Sequence, residues 1–189
     1  MTLPASIRRH TIEAGRRVQR YYSQKGRPMK EYNYCPVCGT HLASGVIEGK
    51  ERKFCPNCDF VDYKNPLPVA LAIAIKDKQL LLIKRGIAPR KGSWASPSGF
   101  IETGETAEEA CLRELKEETG VSGQIVKLAG VVRVEDKEIY GDMLIVMYVV
   151  KVDEGEPMPG DEVEAVRFFD IAELPDYYTK RFRGIIEDI

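Results

Sequence analysis

No stretch of this 189-residue chain is apolar for long enough to cross a bilayer, and no apolar segment precedes a cleavage site of the secretory kind. A soluble, cytoplasmic protein with no membrane partner is the expectation. Net charge is nearly absent as well. The 28 Lys and Arg are matched by 29 Asp and Glu, which argues against a disordered polyelectrolyte and against a partner chosen by bulk charge. There is no internal repeat and no low-complexity tract. Tryptophan occurs once, at Trp94.

What is present is unevenly placed. Residues 1–30 carry eight Lys or Arg against the single acid Glu13, whereas from residue 67 onward 16 basic side chains face 23 acidic ones. The Arg-rich start lacks the serines of an organelle transit peptide. Its segment IRRHTIEAGRRVQRYY predicts a helix within residues 4–24, with Ile7, Ile12, Val18 and Tyr22 loosely on one side. Such a helix serves either as a packing or dimer-forming extension or as a basic arm for nucleic acid.

Four of the five cysteines fall in two Cys-x-x-Cys pairs, Cys35/Cys38 and Cys55/Cys58, sixteen residues apart. Each pair aims two thiolates at one point, and two pairs together supply the four sulfurs of a tetrahedral zinc. Disulfides do not suit a reducing compartment, and neither pair sits in a thioredoxin-like βαβ unit. With all four positions filled by protein, the zinc is expected to be structural. Cys111, the fifth, reads as a small core residue.

The chain divides by composition into a helical extension and linker (1–33), a zinc ribbon (34–66) with a hairpin across VIEGKERKF, and a larger domain (67–189). In the last part, VALAIAI (69–75) and LLLIKR (80–85) predict a hairpin turned by KDKQ. Residues 95–105 are punctuated by Gly and Pro. Thr106, with Glu109 three residues on, is a capping box, and Gly120 stands where a helix C-terminus wants glycine, so a helix is predicted from 106 to 119. Strands follow at 124–134, 143–152 and 165–169, then a helical end over 171–189. This order predicts an α+β domain with a mixed sheet.

The predicted helix concentrates charge. At about 100° per residue, Glu114, Glu117 and Glu118 share one face, with Arg113 beside them, while Cys111, Leu112 and Leu115 turn toward the core. Like charges at this spacing weaken a helix, and no lysine stands four residues after Glu114 or Glu117. A solvated helix face is the plain reading. A site for a hard divalent cation is the functional one, since Mg²⁺ prefers carboxylate, carbonyl and water oxygens and bridges them to phosphates. The loop from Gly99 to Gly104 would let backbone carbonyls approach the same ion.

Gly99, Glu105, Arg113-Glu114-Leu115, Glu117-Glu118 and Gly120-Val121 reproduce, at every defined position, the 23-residue signature of the Nudix hydrolases, which this chain resembles. The four-cysteine segment followed by YKNPLPVALAIAI and LLLIKRGIAPRKGSWASPSGFIETGET resembles the zinc-ribbon subgroup, which includes pyrophosphatases of NADH, FAD and ADP-ribose. The resemblance covers residues 34 to about 175 and implies an α/β/α Nudix sandwich preceded by the ribbon and N-terminal helix. It implies hydrolysis of the pyrophosphate bond of a small nucleotide with Mg²⁺ or Mn²⁺ held by Glu114, Glu117, Glu118 and the carbonyl of Ser98. Arg113 would orient these carboxylates and Glu105 would pair with it. In relatives an acid from a distal loop completes the site; Glu162 aligns best, beside Asp161 and Glu164, and Glu118 and Glu162 are the candidate bases. A homodimer is implied too. NADH pyrophosphatases carry Ser-Gln-Pro-Trp after the signature, where this chain has VVRVEDKEIYGD, so an FAD- or ADP-ribose-like substrate is at least as well implied as NADH.

Three residues are candidate substrate contacts: Arg85 at a strand end for phosphate, and Trp94 and Tyr140 for a base. Each has an ordinary alternative as a surface ion pair or a packing residue. The competing class is an RNA-binding or RNA-cap-removing protein that uses the ribbon and the basic start, although Lys50, Arg52, Lys53 and Lys64 of the ribbon are balanced by Glu48, Glu51, Asp59 and Asp62. A regulatory protein built on an inactive Nudix fold would not need all the carboxylates intact.

Overall fold

The computed structural model describes residues 31–88, 90–136, 140–153, 155–170 and 173–174. The expected N-terminal helix lies outside these residues, as does the helical end expected over 171–189 apart from Glu173 and Leu174. By contacts the chain separates into two compact units, one formed by Met1–Pro66 with Asp136–Gly141, the other by Leu67–Glu135 with Asp142–Ile189. No helix among the described residues is long and apolar enough to cross a membrane.

In the first unit, β1 (Ala43–Ile47) and β2 (Lys50–Phe54) pair antiparallel. The turn between them, Glu48-Gly49, has positive φ at both residues (52° and 74°), the geometry that matches the twist of a two-residue hairpin. Among the described residues its buried core is small: Cys35, Leu42 and Cys55, with Cys58 and Phe60 packed against them.

Among the described residues the second unit is a seven-stranded mixed sheet with one helix, and it is built around β3 (Leu67–Lys76). β4 (Gln79–Arg85) returns from it through Asp77-Lys78, again with two positive φ angles (49° and 62°). β5 is Trp94–Ala95 and β6 is Ser98–Phe100. β6 pairs with the first half of β3 while β4 pairs with its end, so both share one side of that strand. On the other side β8 (Gly141–Val152) runs parallel to β3 from Leu67↔Met143 to Ile75↔Lys151. β7 (Gly123–Asp136) lies outside β8, and β9 (Val163–Asp170) pairs antiparallel with β4.

Helix α1 spans Ala107–Thr119. The capping box forms as its residues demand: the Thr106 side chain accepts from the Glu109 amide, and the Glu109 carboxylate accepts from the Thr106 amide. Gly120 ends the helix in the left-handed region, at φ 74°. Alternation along β3 then decides the packing. Ala70, Ala72 and Ala74 face α1 and pack with Ala110, Cys111, Leu115, Tyr148 and Val150. Their short side chains bring the helix close to the sheet. Leu71 and Ile73 face the opposite way and pack with Leu80, Leu82, Met147, Phe169 and Leu174.

Candidate active site

The glutamate-bearing face of α1 meets the loop and strand that precede it. Arg113 is the hub. Its Nε and Nη2 donate to both oxygens of Glu105, at 3.0 and 2.7 Å. Its Nη1 donates to Glu114 (2.6 Å) and to Glu117 (3.3 Å), and Nη2 also donates to the Phe100 carbonyl (3.0 Å). Only a guanidinium presents enough rigid donors for this task. Glu105 accepts in addition from the Glu102 amide, and Arg113 foremost, with that amide, holds its carboxyl down to about 2. The same carboxylates raise Arg113 above its usual range.

Glu114 and Glu118 occupy a different environment. The Glu114 carboxylate rests on Gly99, where a Cβ would stand 2.1 Å from Oε1. Burial raises its pKa against the pull of Arg113. Glu118 accepts a hydrogen bond from the Ser98 amide at 2.9 Å. Burial, and then the charges of Glu114 and Glu162, push its carboxyl up to about 8 even though the Ser98 amide and Arg85 pull the other way. Glu114, Arg85 and Glu162 are thus each within electrostatic reach of Glu118. Glu117 points outward and is largely exposed.

The loop carrying Glu162 is tied down at both ends. Met158 N–H donates to the Thr119 carbonyl (2.8 Å) and Gly160 N–H to the Glu118 carbonyl (3.0 Å), so the loop covers orphan carbonyls at the end of α1. Gly86 N–H donates to the Glu162 carbonyl at 2.8 Å. Both glycines are sterically required: a Cβ would lie 2.1 Å from the Glu117 carbonyl at Gly160 and 2.8 Å from the Glu162 carbonyl at Gly86. Sequence reasoning missed Gly86, Gly160, the Ser98 amide and the Phe100 carbonyl. Pro159-Gly160 marks a turn, but nothing local names its partner.

The other candidates lie elsewhere. Trp94 packs edge-on to Phe169, with ring centroids 4.7 Å apart, in the cluster on the sheet face away from α1. Tyr140 is half-buried in the turn after β7, in the stretch that groups with the first unit.

Fitness for a cation can be read from the side chains. Among the described residues, only the cysteines form a group of three or more His, Cys, Asp or Glu side chains with donor atoms already within one ion's reach. The glutamates do not converge: Glu114 and Glu117 turn to Arg113, and Glu118 to Ser98. All are hard oxygen donors, and burial with like-charge crowding disfavours ionisation of Glu118, which a divalent cation would reverse.

In the first unit the four sulfurs lie within 4.8 Å of one another, with Cys35–Cys58 at 3.6 Å, Cys38–Cys55 at 3.4 Å and Cys38–Cys58 at 3.7 Å. Sulfurs about 2.3 Å from a tetrahedral zinc stand about 3.8 Å apart, so the set fits that ion. The two knuckles repeat each other: Val37 N–H donates to Cys35 Sγ and Asn57 N–H to Cys55 Sγ, both at 3.4 Å, while the Cys35 and Cys55 amides donate to the carbonyls of Thr40 and Phe60. Four thiols in one place cannot ionise alike. Cys38 is held down to about 6 by hydrogen bonds with Thr40. Cys58 is pushed up to about 12: a Phe60 backbone bond pulls it down, but burial and the other three thiols outweigh it.

Comparison with known proteins places these features. A family profile described as NUDIX domain matches residues 66–189, and one described as Nudix N-terminal matches residues 33–64. The chain is similar to an ADP-ribose pyrophosphatase of Methanocaldococcus jannaschii, with 41% identity over 113 residues, 60% of this chain and 67% of the relative. It is similar to an NAD-capped RNA hydrolase NudC of Pseudomonas fluorescens, with 26% identity over 164 residues; it spans 56% of that relative, and 85% of this chain is covered. Among solved structures, a NUDIX hydrolase from Nitrosomonas europaea superposes with a TM-score of 0.66 at 31% identity, covering 76% of this chain and 81% of that one.

Proposed function

From a chain that belongs to the Nudix hydrolase family, we infer an enzyme that hydrolyses the pyrophosphate bond of a nucleoside diphosphate derivative, with ADP-ribose, FAD or NAD(H) as the substrate class. The observation that carries this reading is Glu118: a carboxylate fixed by the Ser98 amide, beside Glu114 and Glu162, that burial keeps from ionising without a cation. Glu114, Glu117 and Glu118, with the Ser98 carbonyl and Glu162, would hold Mg²⁺ or Mn²⁺, which neutralises diphosphate charge and lowers the pKa of bound water.

The chain's own residues do the rest. Arg113 spaces Glu105, Glu114 and Glu117 by direct hydrogen bonds. Gly99 leaves room for the Glu114 carboxylate. The clamp at Gly86 and Gly160 holds Glu162 near Glu118, and one of these two takes the proton from the attacking water as the bridging P–O bond breaks. Arg85, at the end of β4, would meet a phosphate. The cysteines would hold a structural zinc. A homodimer and a cytoplasmic location, where thiols stay reduced, belong to the same reading.

The relative named as an ADP-ribose pyrophosphatase supports the small-molecule substrate. A second reading, removal of a nucleotide cap from RNA, is favoured by one observation: the NudC likeness extends over 85% of this chain. The deciding experiment incubates the zinc-replete full chain with ADP-ribose, FAD, NAD(H) and NAD-capped RNA in Mg²⁺ or Mn²⁺ and identifies the products. AMP with the matching phosphate ester from a small dinucleotide supports the first reading, and decapped RNA the second. Failure on all substrates with both ions would remove both.

A further inference from the structure

β7 ends the sheet, and among the described residues no strand pairs with its outer side. It is 14 residues long, unusually so for an edge. Val126, Leu128, Val131 and Val132 along it are 61%, 55%, 51% and 38% exposed. A long apolar edge invites a partner strand unless charge, proline or a cover blocks it. β7 has no proline, and its charged residues are Lys127, Arg133, Glu135 and Asp136.

Whether these charges block pairing or direct it can be worked out from spacing. A twofold axis perpendicular to the sheet sets two copies of β7 antiparallel and keeps each side chain on its own face, so residues of equal parity oppose each other. With the axis at Val131, Lys127 falls opposite Glu135, Leu128 opposite Val134, Val132 opposite Gly130, and Val131 opposite itself. Each unlike pair does so twice by symmetry. With the axis at Gly130, Lys127 meets Arg133, a like-charge clash. With the axis at Ala129, Lys127 meets Val131 and Ile125 meets Arg133. Arg133 is meanwhile held within its own subunit by Asp142 at 2.6 Å. Of these three registers only the one about Val131 opposes unlike charges; in it Leu128 meets Val134 and Val131 meets itself, while Val126 falls opposite Asp136 and Ala129 opposite Arg133.

We propose that β7 pairs antiparallel with β7 of a second copy of this chain about Val131, joining two sheets into one. The test is sedimentation velocity on the full, zinc-replete chain at micromolar concentration. The wild type is expected to be a dimer. Val131→Lys sets two lysines against each other at the axis and should raise the dimer Kd about a hundredfold. Lys127→Glu alone and Glu135→Lys alone should each raise it about tenfold, and the double variant should restore it. Trp94 fluorescence, which reports the second unit, should be unchanged in all four. A monomeric wild type, a dimer indifferent to Val131→Lys, or a double variant that does not recover would overturn the proposal. A wild-type monomer that dimerises only after removal of residues 1–30 would mean that the chain covers its own strand, and overturns it equally.

Discussion

Glu118→Gln should make the protein less active and, without divalent ions, more stable. The carboxyl rises from an ordinary 4.5 to about 8 in the folded chain, mainly through burial. A folded-state pKa above the unfolded value contributes stability that is complete below pH 4.5 and is lost as pH rises toward 8. Between pH 5 and pH 7 the unfolded chain sheds this proton and the folded chain keeps it. Two pH units at about 1.4 kcal/mol each approach 3 kcal/mol, and partial exposure of the carboxylate reduces this to about 2 kcal/mol. Glutamine is isosteric, still accepts from the Ser98 amide, and has no proton to lose. The variant should therefore match wild type at pH 4.5 and exceed it by about 2 kcal/mol at pH 7. The assay is urea unfolding followed by the fluorescence of Trp94, which reports the second unit alone. Samples should be dialysed free of Mg²⁺ and Mn²⁺ without chelator, which would strip the cysteine site. Adding Mg²⁺ at pH 8 should stabilise wild type more than the variant, while turnover of the variant falls by at least about 10². Parallel pH profiles for the two proteins would refute the assignment of Glu118 as a desolvated carboxylate.

Three further outcomes follow from the same geometry. Gly160→Ala drives a Cβ into the Glu117 carbonyl; because the obstacle is backbone, the loop must shift, and we expect a stability loss of about 1–3 kcal/mol by urea unfolding together with a fall in kcat as Glu162 moves. Arg113→Lys replaces a fork that holds Glu105, Glu114, Glu117 and the Phe100 carbonyl with a single ammonium, so it should cost about 2 kcal/mol and weaken Mn²⁺ activation, read from the metal dependence of turnover. Metal analysis should find one zinc per chain, and chelation should expose residues 34–66 to trypsin while Trp94 fluorescence is retained, because three buried residues are too few to hold the ribbon without the ion.

Much of this was legible in the sequence, because the signals involved are local. Thr106 with Glu109 and Gly120 set the ends of α1 to within one residue. The two hairpins turn at positions where the chain offers Glu48-Gly49 and Asp77-Lys78. The core face of α1 is the one that periodicity assigns to Cys111 and Leu115. Illegible were the features that depend on partners far along the chain. A helical wheel places Glu114, Glu117 and Glu118 side by side, yet the donor to the Glu118 carboxylate is the Ser98 amide, twenty residues upstream. The parallel pairing of β3 with β8 brings together residues about 76 apart in register, from Leu67↔Met143 to Ile75↔Lys151. Trp94 carries no sign in its neighbours that it packs on Phe169.

The same distinction explains how the chain tolerates its acidic cluster. Three carboxylates within five residues, one of them kept protonated by burial, work against the helix that bears them. Their opposition is offset where they do not reach. Cys111 and Leu115 on the opposite side are fully buried against β3 alanines. The N-terminus is closed by a reciprocal cap, and the C-terminal carbonyls are taken up by Gly120, Met158 and Gly160. Arg113 then balances the charge on one flank through its hydrogen bonds to Glu105, Glu114 and Glu117, whereas Glu118 takes its hydrogen bond from the Ser98 amide. The residual imbalance is therefore concentrated on the flank where β6, the Glu162 loop and Arg85 meet. There Arg85 and the Ser98 amide pull Glu118 down without overcoming burial and the charges of Glu114 and Glu162, and a cation bound at that flank would relieve the remainder.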